Sequence, residues 1–249
     1  MKNAKQLMLA AAMLLGITFG AQAQETETRS LGSFSGVHAA EGIEVTLVKG
    51  SSNSAEVTAH NVDMDEVLTE IKNGNLKVHF DDGNHRNARV SVVVTYSGTL
   101  RAFSASSAGS LESKQTISGG DMHVDVSSAG SIKLSLEAED LDVDASSAGH
   151  VELMIQAGDV DVDVSSSGQV ELSGKAGDLD IEGSSSGDVH AYELEARNVD
   201  ADMSSGAAAE VTLSGRLDGE CSSGSSIRYR GNPSDIDVET SSGGSCRKG

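Results

Sequence analysis

Asp142-Val143-Asp144-Ala145-Ser146-Ser147-Ala148-Gly149, with its tail Val151-Glu152-Leu153, is the stretch that decides the fold. Close copies recur through residues 101–249. Ser-Ser pairs followed closely by Gly begin at Ser106, Ser127, Ser146, Ser165, Ser184, Ser204, Ser222 and Ser241, in steps of 21, 19, 19, 19, 20, 18 and 19 residues. A fixed period near 19 is the mark of a solenoid. Each unit holds two short segments that alternate apolar and polar residues, which is the period of a strand. The chain is therefore expected to be all-β, a parallel β-helix with one coil per repeat.

Stacking the coils on the Ser-Ser pair turns the repeat into columns. Five positions before it stand Met122, Leu141, Val160, Leu179, Val199, Leu217 and Ile236, and three before it Val124, Val143, Val162, Ile181, Ala201, Gly219 and Val238. Five after it come Leu111, Ile132, Val151, Val170 and Val189, followed two further on by Leu134, Leu153 and Leu172. These columns are expected to face inward. The Ser-Ser-x-Gly segments are expected to turn the corners, with Gly supplying positive φ and Ser hydroxyls satisfying freed backbone groups.

The outward columns are acidic. Four before the pair stand His123, Asp142, Asp161, Asp180, Asp200, Asp218 and Asp237, and two before it Asp125, Asp144, Asp163, Glu182, Asp202, Glu220 and Glu239. Neighbouring coils lie about 4.8 Å apart, so one face is expected to carry two long carboxylate rows. Like charges directly opposite destabilise a sheet, and Asp is a poor strand former. Salt screening can offset that cost. So can a hard divalent cation, which takes carboxylate oxygens. Asp142, Asp144, Asp161, Asp163, Asp180 and Glu182 are accordingly the candidate Ca2+ ligands. The alternative is a solvated negative face that prevents aggregation. The nonapeptide Ca2+ repeat is not matched, since the period is about twice nine.

Upstream, residues 31–100 read as irregular strands. Ile43, Val45 and Leu47 share one face of the 42–47 segment, and Val90, Val92, Val94 and Tyr96 share one face of 89–96. Ala55 to His60 is a weaker strand. Asn73-Gly74 between two alternating runs predicts a type I′ hairpin turn. Val62 to Ile71 is expected to be extended because of its β-branched residues.

Residues 1–23 carry the pattern of a signal peptide: Lys2 and Lys5, an apolar run from Leu7 to Phe19, and Ala21-Gln22-Ala23. The run is too short to span a bilayer, and no Cys follows the cleavage point. A short polar leader, 24–30, precedes a single domain at 31–249. Export to the periplasm, the outer surface or the medium is expected, without membrane insertion. The formal charge is −20, and removing Lys2 and Lys5 leaves −22. Nucleic acid is a poor partner for that charge. Aromatics are only 3% and Trp is absent, so the core must be built from aliphatic columns. Cys221 and Cys246 are permitted a disulfide by export; their columns differ, and the pairing stays open.

The layout resembles the head-GIN-domain family of autotransporter-adhesin-like proteins, common in Bacteroidetes. The resemblance runs from Phe34-Ser35-Gly36-Val37 and Gly42 to Leu47, through Asn73 to Val78 and Arg89 to Val94. It continues over the Ser-Ser-Ala-Gly coils to Tyr229-Arg230-Gly231-Asn232-Pro233 and Ser241-Ser242-Gly243-Gly244. It implies a right-handed β-helix and a role at the cell surface, and it supplies no catalytic residues.

No residue set makes a catalytic centre. Gly183-Ser184-Ser185-Ser186-Gly187 fits the G-x-S-x-G pattern, but that motif needs a strand-to-helix turn, and this copy lies inside a β repeat. A polysaccharide-active β-helix enzyme is the alternative. Its acidic face would need basic residues to hold an anionic sugar, and only Arg216 and Lys175 are available there. The seven His are dispersed and show no metal-ligand spacing. The expected function is non-enzymatic and adhesin-like or structural. The partner would be an extracellular or envelope protein or glycan. A cation-binding structural solenoid is the alternative, and a homodimer through one solenoid end is a further expectation, because terminal coils usually need a cap.

Overall fold

The computed structural model of the chain describes residues 25–83 and 85–249. The signal-peptide segment lies outside the described residues. The chain forms a parallel β-solenoid, as the repeat predicts. Leu141 pairs with Val160 of the next coil, and Asp142, Val143 and Asp144 pair with Asp161, Val162 and Asp163. One repeat of the sequence is thus one rung.

Two stacks of strands face each other across the core. The first contains Met122–Val126, Asp140–Ala145 and Asp159–Val164, then the second half of Gln169–Gly183 and that of Asp188–Met203. Arg216–Cys221 and Asp235–Thr240 complete it. The second stack contains Ser110–Ser118, Ser131–Glu137, His150–Gln156 and the strands in register with them. Burial alternates without a break: Leu141, Val143, Val160, Val162, Leu179 and Ile181 are all at most 2% exposed. Gly219 interrupts its column, and the Ile227 side chain fills the gap; a Cβ on Gly219 would meet Ile227 Cδ1 at 3.1 Å. At the last coil the column frays. Ile236, expected inside, is 47% exposed and Val238 half-buried, because among the described residues no further rung covers them.

The corners differ from the expectation in an instructive way. Gly149 is not in the left-handed region; Ser147 (φ 51°) and Ala148 (φ 60°) are. Gly149 N donates to Ser146 O at 2.8 Å, closing a turn with two central residues at positive φ, the type I′ class. Gly149 is needed for space instead, since a Cβ there would lie 2.6 Å from Val126 O of the preceding coil. The same holds at Gly130 and Gly168, each 2.5 Å from a backbone oxygen. Nor do the serine hydroxyls hold this corner. Ser146 N donates to Val126 O at 2.9 Å and Ala148 N donates to Ser166 O at 3.1 Å, so the backbone ladder runs straight through the turn. Later corners differ. Ser225 is buried where Gly149 stands in its own coil, and its hydroxyl donates to Met203 O at 2.7 Å; Ser204 Oγ donates to Gly183 O at 3.4 Å.

Residues 31–100 do not stack in chain order. Gly36–Ala39 lies between Asn75–Phe80 and Ala102–Ala105, parallel to both. Glu44–Lys49 lies between Arg89–Tyr96 and Ser110–Ser118. Beyond these rungs the pairing becomes antiparallel. Ser54–His60 adds to Arg89–Tyr96, and Glu25–Ser30 adds to Ser54–His60. The segment read as a polar leader is therefore an edge strand from Glu25 onward. Val67–Lys72 and Asn75–Phe80 form the predicted hairpin, with Asn73 and Gly74 at positive φ. Met64–Glu66 is a 3-10 turn at the start of the stretch expected to be extended. Antiparallel strands thus close this end of the solenoid and keep its first parallel rungs from being open edges.

Cys246 pairs in register with Ile227, whereas Cys221 pairs with Thr240, so the two cysteines do stand in different columns. Both thiols are free; Cys221 is buried and Cys246 half-buried. Burial pushes the Cys246 thiol up to about 11.

Candidate functional site

The first stack presents its outward side chains as continuous carboxylate ladders. Asp142, Asp161, Asp180, Asp200, Asp218 and Asp237 are consecutive register partners, and so are Asp144, Asp163, Glu182, Asp202, Glu220 and Glu239. All six candidate residues named from the sequence lie on these two rows, side by side on three adjacent rungs. A third row escaped the sequence reading: Asp140, Asp159, Asp178 and Asn198 are also consecutive partners. Its signal was present, at six positions before each Ser-Ser pair, just outside the offsets that alternate most clearly. Shallow grooves run between the rows. One is lined by Asp159, Asp161, Asp178, Asp180, Asp200 and Arg216, and another by Asp144, Asp163, Glu182, Asp202 and Glu220 with the corner serines.

Basic side chains sit at the ends of the rows. His123 lies 3.9 Å from Asp142 and 3.7 Å from Asp144. Arg216 lies 2.5 Å from Asp218, 3.3 Å from Asp235 and 3.7 Å from Asp237. Asn198 bridges inward from that clamp, donating to Asp178 Oδ1 at 2.7 Å and accepting from Arg216 N at 3.0 Å. Between these ends Asp161, Asp163, Asp180 and Glu182 have no ion-pair partner among the described residues. Toward the other end of the molecule the row of Asp125 and Asp144 continues as Ser104, His38 and Lys77, so the acidity stops where the irregular rungs begin.

The crowding is visible in the acidities. Asp161 is raised above the ordinary carboxylate value by partial burial first, then by Asp142, Asp159 and Asp140. Asp180 is raised by burial, then by Asp200 and Asp161. Asp144 and Asp200 are raised in the same way, with His123 and Arg216 respectively opposing the shift.

The second stack is different. Lys133 sits 2.6 Å from Glu152, Lys175 3.2 Å from Glu195, and His190 and Arg228 bracket Glu210 at 3.3 and 3.2 Å. Lys175, expected beside the acidic face, belongs to this mixed-charge face. Carboxylates without basic partners are therefore concentrated on one face of the solenoid, while the other face carries both signs. The G-x-S-x-G pattern falls in a corner, with Ser185 at φ 50° and Ser186 at φ 61°. A strand follows it, so it is not a nucleophile elbow.

A closed aliphatic solenoid with one acidic and one mixed-charge face is a scaffold that presents an extended surface. The chain belongs to the head GIN domain family: the model described as "Putative auto-transporter adhesin, head GIN domain" matches residues 33–154 and again 145–233. Three solved structures share the fold, each covering 92% of this chain and 98% of its own. A "putative adhesin" of Parabacteroides merdae is 17% identical with a TM-score of 0.85. A "putative adhesin" of Parabacteroides distasonis is 19% identical with a TM-score of 0.84. A "putative lipid binding protein" of the same species is 19% identical with a TM-score of 0.80. No curated protein matches the chain. Among the described residues, no helix is long and apolar enough to cross a membrane.

Proposed function

We propose that the chain is an exported, non-enzymatic binding protein of the cell envelope that uses its acidic face to engage a partner. The partner is an extracellular or envelope protein or glycan that carries positive charge, or that is held through bridging cations. The segregation of charge carries this reading. Charge serving only solubility has no reason to be concentrated on one face, whereas here the acidic rows lie together on the face where like charges cost most. The family description, and the adhesin names of two of the structural neighbours, support a binding role. Saturable, salt-sensitive binding is expected on a panel of matrix proteins and glycans, weakened when Asp142, Asp161 and Asp180 are all changed to Asn. A blank on both panels, with and without Ca2+, would sink the proposal.

A second reading, a solenoid stabilised by Ca2+, is favoured by the central carboxylates that lack cationic partners. It predicts that Ca2+ raises Tm beyond the effect of matched ionic strength. Asp161→Asn with Asp180→Asn should remove that increment. An equal shift from Na+ at the same ionic strength would dispose of this reading.

A further inference from the structure

A second group of ligating side chains lies far from the ladders, at the capped end of the solenoid. Glu66 closes the 3-10 turn Met64–Glu66, Asp81 follows the strand Asn75–Phe80, and His85 lies in the loop beyond it. One ligand atom from each of the three lies within 4.8 Å of the other two. We propose that Glu66, Asp81 and His85 form a binding site for one divalent transition-metal ion of the zinc class.

The imidazole is held in place. It stacks on Phe80 with ring centroids 4.4 Å apart and planes 19° apart, and its side chain is only 11% exposed. Gly83 allows the approach, since a Cβ there would lie 2.9 Å from His85 Nε2. Nε2 lies 3.1 Å from Asp81 O. A backbone carbonyl only accepts, so Nε2 carries the proton and donates. That is the arrangement by which metal-bound histidines are usually oriented. It leaves Nδ1 facing Glu66 Oε2 at 3.4 Å. In the neutral ring these are two lone-pair acceptors aimed at each other, a pairing that needs a cation between them, either a proton or a metal. Neither carboxylate has a Lys or Arg partner within ion-pair distance among the described residues. Arg86 does line the adjoining hollow, with Glu41 and Phe80.

The distances suit a small ion. Zinc bonds of about 2.0–2.2 Å place neighbouring ligand atoms roughly 3.3–3.5 Å apart. Glu66 and His85 already have that spacing. Asp81 Oδ1 lies 3.3 Å from His85 Nε2, and its side chain, 45% exposed, would swing from that nitrogen toward Nδ1 to complete the set. An imidazole nitrogen with carboxylates selects zinc-class ions over Ca2+, which takes oxygen ligands. This separates the site chemically from the ladders. A bound ion would tie Asp81 and His85 to the 3-10 turn and so staple the antiparallel cap.

The test is titration of the chelator-stripped mature chain, carrying no polyhistidine tag, with ZnCl2 against a competing chelator dye. One ion per chain is expected. His85→Ala and Glu66→Gln should each weaken it at least ten-fold, while Asp161→Asn with Asp180→Asn should keep it. Circular dichroism checks that each variant is folded. If no ion binds, or if binding is unchanged in His85→Ala, the proposal is overturned and His85 is only an imidazolium clasp. Loss of binding in the ladder variant alone would overturn it equally.

Discussion

Gly149→Ala is expected to lower Tm by on the order of 5–10 °C. The added Cβ would sit 2.6 Å from Val126 O and 3.0 Å from Ser146 O. Both oxygens are already engaged: Val126 O accepts from Ser146 N and Ser146 O accepts from Gly149 N. Neither can retreat without losing a ladder or turn bond. Overpacking of this kind costs about 1–3 kcal/mol, and each kcal/mol moves Tm by about 2–4 °C in a chain of this size. The neighbouring Ala148→Gly should go the other way. Ala148 has φ 60°, a region that costs an L-residue roughly 1–2 kcal/mol. Part of the relief is returned as extra freedom of the unfolded chain, which leaves a gain of about 0.5 kcal/mol. Thermal unfolding of the two variants side by side decides the matter. An unchanged Tm for Gly149→Ala, or a loss for Ala148→Gly, would contradict the corner geometry.

The second large effect is electrostatic. At low ionic strength Tm is expected to rise as pH falls from neutral toward the ordinary carboxylate range. Asp144, Asp161, Asp180 and Asp200 all have acidities raised above their ordinary value. A carboxyl with a raised pKa in the folded state binds its proton more readily there than in the unfolded chain. The destabilisation is therefore fully present above the raised values and is relieved as pH falls through them toward the ordinary carboxylate value. Glu70, lowered by Lys72, works in the opposite direction, but it is a single exposed group. Asp161→Asn with Asp180→Asn should raise Tm at pH 7 and flatten the pH profile. Cross-strand like-charge contacts cost roughly 0.2–1 kcal/mol each, and screening at physiological salt trims the total to about 1 kcal/mol. Acidification that lowers Tm equally in wild type and double variant would refute the account.

The zinc-class site shows why some features were hidden in the sequence. Asp81 and His85 are four residues apart in a loop, and Glu66 joins them only because Val67–Lys72 folds back on Asn75–Phe80. No periodicity marks such a meeting. The carboxylate rows are the opposite case. Asp142 and Asp161 are one period apart, so alignment of the repeats alone sets them opposite each other, and the register agrees.

The sequence by itself determined the coil, its inward columns and the two acidic rows, because a solenoid repeats one local structure and each residue meets its own equivalent in the next rung. Tertiary structure decided what lacks that translation. The order of the irregular rungs follows from antiparallel strands closing the end. Ile236 is exposed because no rung among the described residues covers it. The corner Asp142-to-Gly149 depends on both. Its turn, with positive φ at Ser147 and Ala148, is local to the repeat, but the preceding coil's carbonyl, at Val126, is what requires Gly149.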